Sequence, residues 1–522
     1  MPSHFRSFLL FIALLAFLNA CSTVDTRPAG ESFPEKDLPS RQDSREKELP
    51  DQLEGTRWSP YKGSLATAVE LSDSMSAYQP DLVLDILRSL EPVPSGQLKA
   101  MIDEQVYDPG FTQWLELAVQ VRATLISGSP VAAAANHWAS EHYGHVVTGT
   151  GFSRLVSDYS AYFPEPSRVA VLLPTEGGLS AAGNAIRDGI LSAYLDRPGE
   201  SVIRFYSSGE NSEAAIAAYL QARQDGATQI VGPLRIESAR ALAGLADLDV
   251  PVLLLNEIGD EAPVSGHPAT AVNSLSLSQA EEAEAIASSA LAQGQDQALL
   301  IVPDSAWGAR VETAFATIYE QGGGRISATA RFNPETRDQG DMLTQVLRID
   351  ESKQRKEALR LRLGGIPLDF EPVRRDDFDF VLIAANPAQG RELKPLLRFH
   401  DTGDIPVYAM GRIFSGKMEQ GADQDLNEIV FPTTPWQLQA GADTRLSLAS
   451  LRDGTLGDLH ALGRDAWHLL KWLPLMQKDP DLWFPGEIGA LRMQANGRLY
   501  RAPAWAQFSA GRPVLYQWPG SY

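Results

Sequence analysis

Along the first third of the chain, apolar residues recur at the three-to-four spacing of a helix face. Leu65, Val69 and Ser72 fall on one such face, Leu82, Ile86 and Leu90 on a second, and Trp114, Leu117, Val121 and Leu125 on a third. The alanine-rich stretch from Val131 to Tyr143 supplies another helix, and Pro80, Pro92, Pro94, Pro109 and Pro130 punctuate the series as turns between antiparallel helices do. The pattern predicts a small all-helical domain over 58–163, built of tetratricopeptide-like helix pairs without a clean repeat of ~34 residues. After Pro166 the period changes. Apolar runs of strand length, Val169 to Leu173, Val202 to Tyr206, Gln229 to Val231, Val250 to Leu255, Ala298 to Val302, Phe378 to Ala384 and Ile405 to Ala409, alternate with helical stretches. The first of those helices carries Leu179, Ala182, Ile186, Ile190 and Ala193. Fully apolar strands between helices predict doubly wound α/β structure with parallel sheets covered on both faces. The region 164–522 is too long for one such sheet, so a bilobed domain is expected, with lobe 1 about 164–275 and 402–440 and lobe 2 about 276–401 and 441–522.

The N-terminus reads as a signal segment. Arg6 precedes an apolar run from Phe8 to Leu18, ~11 residues against the ~20 that a membrane-spanning helix needs. Leu18-Asn19-Ala20-Cys21 resembles the bacterial lipobox, in which the cysteine is acylated and becomes the first residue, so 1–20 is expected to be a lipoprotein signal peptide. The alternative is a plain secretory signal cut nearby. Cys21 is the single cysteine of the chain, which rules out an intramolecular disulfide and any multi-thiolate metal site. Two or three acyl chains on it would anchor the protein stably, and Ser22 beside it resembles the sorting signal for the outer membrane. Residues 21–57 are rich in Pro, Ser, Glu, Asp and Arg and poor in aromatic and β-branched residues, the composition of a tether. The formal charge of −21 repels polyanions and excludes nucleic acid as a partner.

Within the α/β region, RVAVLLPTEGGLSAAGNAIRDGILSAYL (Arg168 to Leu195) resembles the first strand, loop and helix of type I periplasmic binding proteins. In particular, it resembles the LppC family of LpoA-type activators of class A penicillin-binding proteins. IVGPL (Ile230 to Leu234) fits the third strand and its turn, and PVLLLN (Pro251 to Asn256) fits the fourth. Val302-Pro303-Asp304 with Trp307-Gly308 fits the entry to the second lobe, Gly486 to Val514 the closing hairpin, and His137 to Phe163 the family's domain junction. The resemblance implies a non-catalytic outer-membrane lipoprotein on the periplasmic face that binds and activates a class A penicillin-binding protein, with no cofactor; peptidoglycan is a further candidate partner. The helical domain is shorter here than in larger members of the family.

In open α/β sheets ligands lie beyond the carboxyl ends of the strands. The candidate cleft-lining residues are therefore Thr175, Glu176, Gly177, Ser180, Gly232, Pro233, Arg235, Asn256, Asp304, Trp307 and Arg412. Amino-acid receptors of this fold use hydroxyls and backbone N–H groups for a carboxylate and an acid for the amine. Here Leu234, Ile236 and Arg412 stand at the positions in question, so a vestigial cleft that shapes the surface competes with a working one. The cluster His137, Glu141, His142 and His145 lacks a zinc-binding spacing, and no metal is assigned to it. Gly411 to Lys417 spells a phosphate-loop pattern but has Met418 where a hydroxyl must hold magnesium. Ser44 to Lys47 lies in the tether with no companion motif, and Gly178 to Gly183 is one residue too long for a serine nucleophile elbow. No catalytic set emerges. The alternative to an activator is a solute-binding lipoprotein for amino acids or short peptides.

Overall fold

The computed structural model describes residues 53–246, 248–258, 272–336, 338–438 and 454–518. The lipobox, Cys21 and most of the expected tether lie outside these residues. Among the described residues no helix is long and apolar enough to cross a membrane.

Six α-helices precede the first strand: Lys62–Asp73, Pro80–Leu90, Ser95–Asp103, Pro109–Ser127, Val131–Glu141 and Gly149–Ser160. They pack as successive pairs, first with second, third with fourth, fifth with sixth. The longest shows why the boundaries fall where they do. Asp108 caps its N-terminus, its Oδ1 accepting from the Gly110 N–H at 2.8 Å, Pro109 opens the first turn, and Gly128 ends it at φ +62°. Its inner face buries Phe111, Trp114, Leu117, Val121 and Leu125, which together with Trp138 and Phe152 form the domain's core.

Two larger sheets follow. The first contains β1 (Arg168–Leu173), β2 (Val202–Ser207), β3 (Gln229–Val231), β4 (Val252–Leu254) and β5 (Val272–Ser274) in the order β2-β1-β3-β4-β5, all parallel. The second contains β6 (Gln297–Pro303), β7 (Arg325–Phe332), β8 (Phe380–Ile383), β9 (Val407–Ala409) and β10 (Val430–Thr433). A smaller sheet of β11 (Trp483–Pro485), β12 (Ala490–Met493) and β13 (Leu499–Ala502) comes next, and β14 (Ala504–Ser509) and β15 (Arg512–Leu515) then return to complete the second sheet in the order β15-β14-β10-β9-β8-β6-β7. This is the bilobed type I periplasmic-binding-protein-like architecture with a helical domain in front of it. The strands β1, β3, β4, β6, β8 and β9 overlap the apolar runs read from the sequence, and their side chains are buried on both faces as parallel strands under helices require.

The lobe boundaries differ from the expectation. Residues 402–440, expected in lobe 1, carry β9 and β10 of the second sheet, because β9 pairs with β8 and β10 with β9 and β14. Conversely the helix Gly454–Leu469, expected in lobe 2, lies against the lobe 1 helix Ser180–Asp196. The chain therefore passes between lobes after β5, after β10 and between β13 and β14. The two helices approach so closely that a Cβ on Gly189 would lie 2.0 Å from the His460 carbonyl oxygen, and one on Gly463 2.2 Å from that of Ile186.

The helical domain is fixed to this body by a buried charge pair. Arg122 meets Asp479 at 3.0 Å, each side chain 1% exposed, and also donates to the Val93 and Leu90 carbonyls. Asp479 accepts in addition from the backbone N–H and hydroxyl of Ser95. Phe163 against Trp472, and Lys471 donating to Ser160, continue the junction.

Candidate functional site

The expected cleft-lining residues stand at strand ends, and each lobe organises its own set. In lobe 1, the Thr175 hydroxyl shares a hydrogen bond with Ser207 at 2.8 Å, and Glu176, Gly177 and Ser180 follow it into the helix Ser180–Asp196, with Ser180 bonding back to the Gly177 carbonyl. Gly232 and Pro233 are buried. Gly232 holds φ +98° with its Cα against the Leu172 carbonyl, where a Cβ would come within 2.2 Å, so only glycine serves. Leu234 is turned into the protein, and its carbonyl accepts from the Asn256 amide at 2.8 Å. That carbonyl is thus engaged within the lobe. Arg235 keeps a buried Nε with no protein partner. In lobe 2, Asp304 is exposed, and the Arg412 guanidinium lies 4.6 Å over the Trp307 ring, a cation–π pair that covers the indole face.

The sequence did not reveal a buried charge network where the chain passes between lobes. Glu281 and Glu282 open the helix Gln279–Ala292, whose first turn favours acids by its dipole and whose cap is Ser278. Arg498 bridges Glu257, beyond β4 in lobe 1, at 2.8 Å and Glu281 at 2.6 Å. Arg501 meets Glu282 at 3.2 Å, and the other oxygen of Glu282 accepts from the Gly411 N–H, adjacent to Arg412. Asp458, on the lobe 1 helix, accepts from Thr434 and Gln437 beyond β10, both at 2.8 Å. Burial pushes the Glu281 carboxyl up to about 7 against the opposing pull of Arg498, and burial likewise pushes Asp458 up to about 7. Every passage between the lobes is therefore bridged by side-chain bonds, and Arg501 and Glu282, for example, lie 219 positions apart in the chain. That separation is why no local motif announced them.

The remaining sequence clusters resolve into ordinary packing. His137 faces Glu141 on the surface, His142 pairs with Glu116 at 2.7 Å while stacking on Trp138, and His145 is buried between Trp114 and Trp138. Among the described residues no three His, Cys, Asp or Glu side chains gather to hold a metal ion. In the segment from Gly411 to Lys417, Ile413 and Phe414 are buried in the second lobe's core, so its geometry is that of a packed turn.

The sequence profile of the family described as LppC putative lipoprotein matches residues 68–511. The chain is 26% identical over 428 residues to the penicillin-binding protein activator LpoA of Vibrio vulnificus, covering 79% of this chain and 68% of that protein. It is 26% identical over 407 residues to the protein of the same name from Photobacterium profundum, covering 76% and 65%. It thus spans about two thirds of the length of these relatives. Among solved structures, LpoA from Haemophilus influenzae aligns with a TM-score of 0.53 at 19% identity, over 88% of this chain and 87% of that one. The C-domain of the same organism's LpoA (YraM), a regulator of PBP1A, aligns at 0.51 and 21% identity, over 67% of this chain and all of that one. These structural likenesses establish a shared fold. The sequence match runs from the second turn of the first helix to the turn between the last two strands, across every strand described above except β15, and this chain belongs to the LppC putative lipoprotein family.

Proposed function

We propose that this protein is a non-catalytic activator of a class A penicillin-binding protein, held on the periplasmic face of the outer membrane by acylated Cys21. The observation that carries the reading is the match, along 79% of the chain, to a protein named for that activity. The geometry supports it in two ways. The helical domain is joined to the α/β body through the buried Arg122–Asp479 pair, an investment in a fixed composite surface that solute capture does not require. Some of the expected cleft positions are also engaged within the protein: the Arg412 guanidinium covers Trp307, and Leu234 is turned inward where a hydroxyl would bind a carboxylate.

An activator of this kind works by binding the synthase's active conformation more tightly than its resting one, with about 1.4 kcal/mol of preference giving a tenfold shift in population. Purified protein added to a class A synthase from the same envelope is expected to raise glycan polymerisation or transpeptidation several-fold. Binding without any change in either rate would count against the proposal. The anchor is tested separately: Cys21→Ser should move the protein from the outer-membrane to the soluble periplasmic fraction, and retention of that variant on membranes in high salt would refute acylation as the anchor.

A further inference from the structure

The helical domain and the α/β body do not meet flush. Where Lys471 and Trp472 continue their junction, the two leave a cavity of about 430 Å³ between them, within the range of roughly 300–1,000 Å³ in which proteins take up small molecules. Its apolar walls come from both sides. Leu125 and Ile126 end the helix Pro109–Ser127, while Trp467 on the helix Gly454–Leu469, Trp472 beyond it and Phe484 on β11 belong to the body. Both tryptophans are partly exposed. Each is also held in place: Tyr194 meets Trp467 edge-on at 5.5 Å, and Phe163 lies against Trp472 at 6.3 Å.

The polar groups around the cavity fall into two sets. Arg464 is engaged within the protein, pairing with Asp196 at 2.7 Å and Glu487 at 2.8 Å and donating to the Ser192 hydroxyl. Lys471 donates to the Ser160 hydroxyl at 3.0 Å, and its ammonium lies 4.9 Å over the Trp472 ring. The second set is free. Among the described residues, the Arg197 guanidinium, the Glu165 carboxylate and the His468 imidazole line the cavity with no side-chain hydrogen bond or ion pair. Burial first, then the Arg464 and Arg197 cations, lower the pKa of His468 against the pull of Asp196, so at pH 7 its ring is neutral and offers one donor and one acceptor.

From the two tryptophans and the three free polar groups we infer that this junction cavity is a saccharide-binding site. A sugar ring has an apolar C–H face that packs on an indole, and a rim of hydroxyls, each of which both donates and accepts a hydrogen bond. Such a rim can use all three free groups: Arg197 as donor, Glu165 as acceptor and the neutral His468 as either. Other ligands use fewer of them. An anion would pair with Arg197 but meet Glu165 as a like charge, and a zwitterion would satisfy the two charges and leave His468 unmatched. The site goes beyond the activator reading and does not rest on it, since neither the synthase nor the inter-lobe cleft takes part.

The test titrates the full-length protein by calorimetry with two soluble saccharides, chitotetraose for an amino-sugar glycan and maltotetraose for a plain glucan, and with leucine as a zwitterion. Saturable binding of at least one saccharide at roughly millimolar concentration or below is expected, and the tighter of the two identifies the source. Arg197→Ala, at an exposed position with no protein partner, should keep the melting temperature and weaken that binding at least fivefold. His468→Ala should weaken it likewise, and if that variant melts lower, Arg197→Ala alone decides. Failure of both saccharides to bind would overturn the site. So would saccharide binding that Arg197→Ala leaves within twofold of wild type, binding that Trp307→Leu abolishes while Arg197→Ala does not, or saturable binding of leucine with neither saccharide bound.

Discussion

At the scale of single residues, Arg122 and Asp479 show how much one pair can hold. Removing one partner leaves the other charged and buried, so Asp479→Ala should cost about 3–5 kcal/mol, read as a large fall in melting temperature. The double change Arg122→Met with Asp479→Leu should cost much less, because no orphan charge remains. Arg122 sits in an apolar stretch 357 positions from its partner, so nothing local in the sequence marks it, unlike the histidines nearby. Of those, His145 has a thermodynamic consequence. Its Nδ1 accepts the Val147 N–H at 3.1 Å, which requires the neutral ring, and burial lowers its pKa to about 4. The unfolded chain binds this proton near pH 6.5 and the folded one only near 4, so stability is present above 6.5 and is lost as pH falls through that window. Wild-type protein should lose about 2 kcal/mol more than His145→Gln between pH 7 and pH 5, measured by urea melts at each pH.

Among elements, the contact between the helices Ser180–Asp196 and Gly454–Leu469 is the tightest constraint, since Gly189 and Gly463 let each backbone rest on the other. Gly463→Ala must push the helices apart and should destabilise by at least the roughly 1–3 kcal/mol typical of an overpacked core. Gly178→Ala, with open space around its Cα, should be nearly neutral, and equal melting temperatures for the two variants would contradict the packing described. Legibility followed unbroken apolar runs rather than burial alone. Gln229–Val231 is legible because Ile230 and Val231 lead an apolar segment into the Gly232-Pro233 turn. By contrast, β7 was missed because only Ala330 and Phe332 of its eight residues are buried, and β10 because proline interrupts Val430–Thr433. The apolar run of β2 was legible as a strand, yet it is an exposed edge, a distinction that a one-dimensional pattern does not carry. The network at the passages makes a further prediction: Arg501→Ala leaves Glu282 buried without its cation and should cost about 3–5 kcal/mol, whereas Arg501→Ala combined with Glu282→Gln should recover part of that loss in the same melts.

For the whole molecule, the two-lobed plan and the helical domain before it were legible from the change of hydrophobic period, while the allocation of 402–440 was not, because strand order is invisible to periodicity. The bridged passages and the Arg412–Trp307 pair together predict a protein that does not close on small solutes. A receptor at ~100-fold ligand excess over Kd would gain about 2.7 kcal/mol, so a concentration-dependent thermal shift with any common amino acid or short peptide would favour the receptor reading over the activator. The threading of the chain has another consequence, one of timing. Lobe 1 lacks the helix Gly454–Leu469 until that segment is made, and lobe 2 lacks β14 and β15 until still later. On the ribosome, then, neither half can finish folding while most of the chain is already out, and a nascent polypeptide that stays unfinished is one that a secretion channel can still thread.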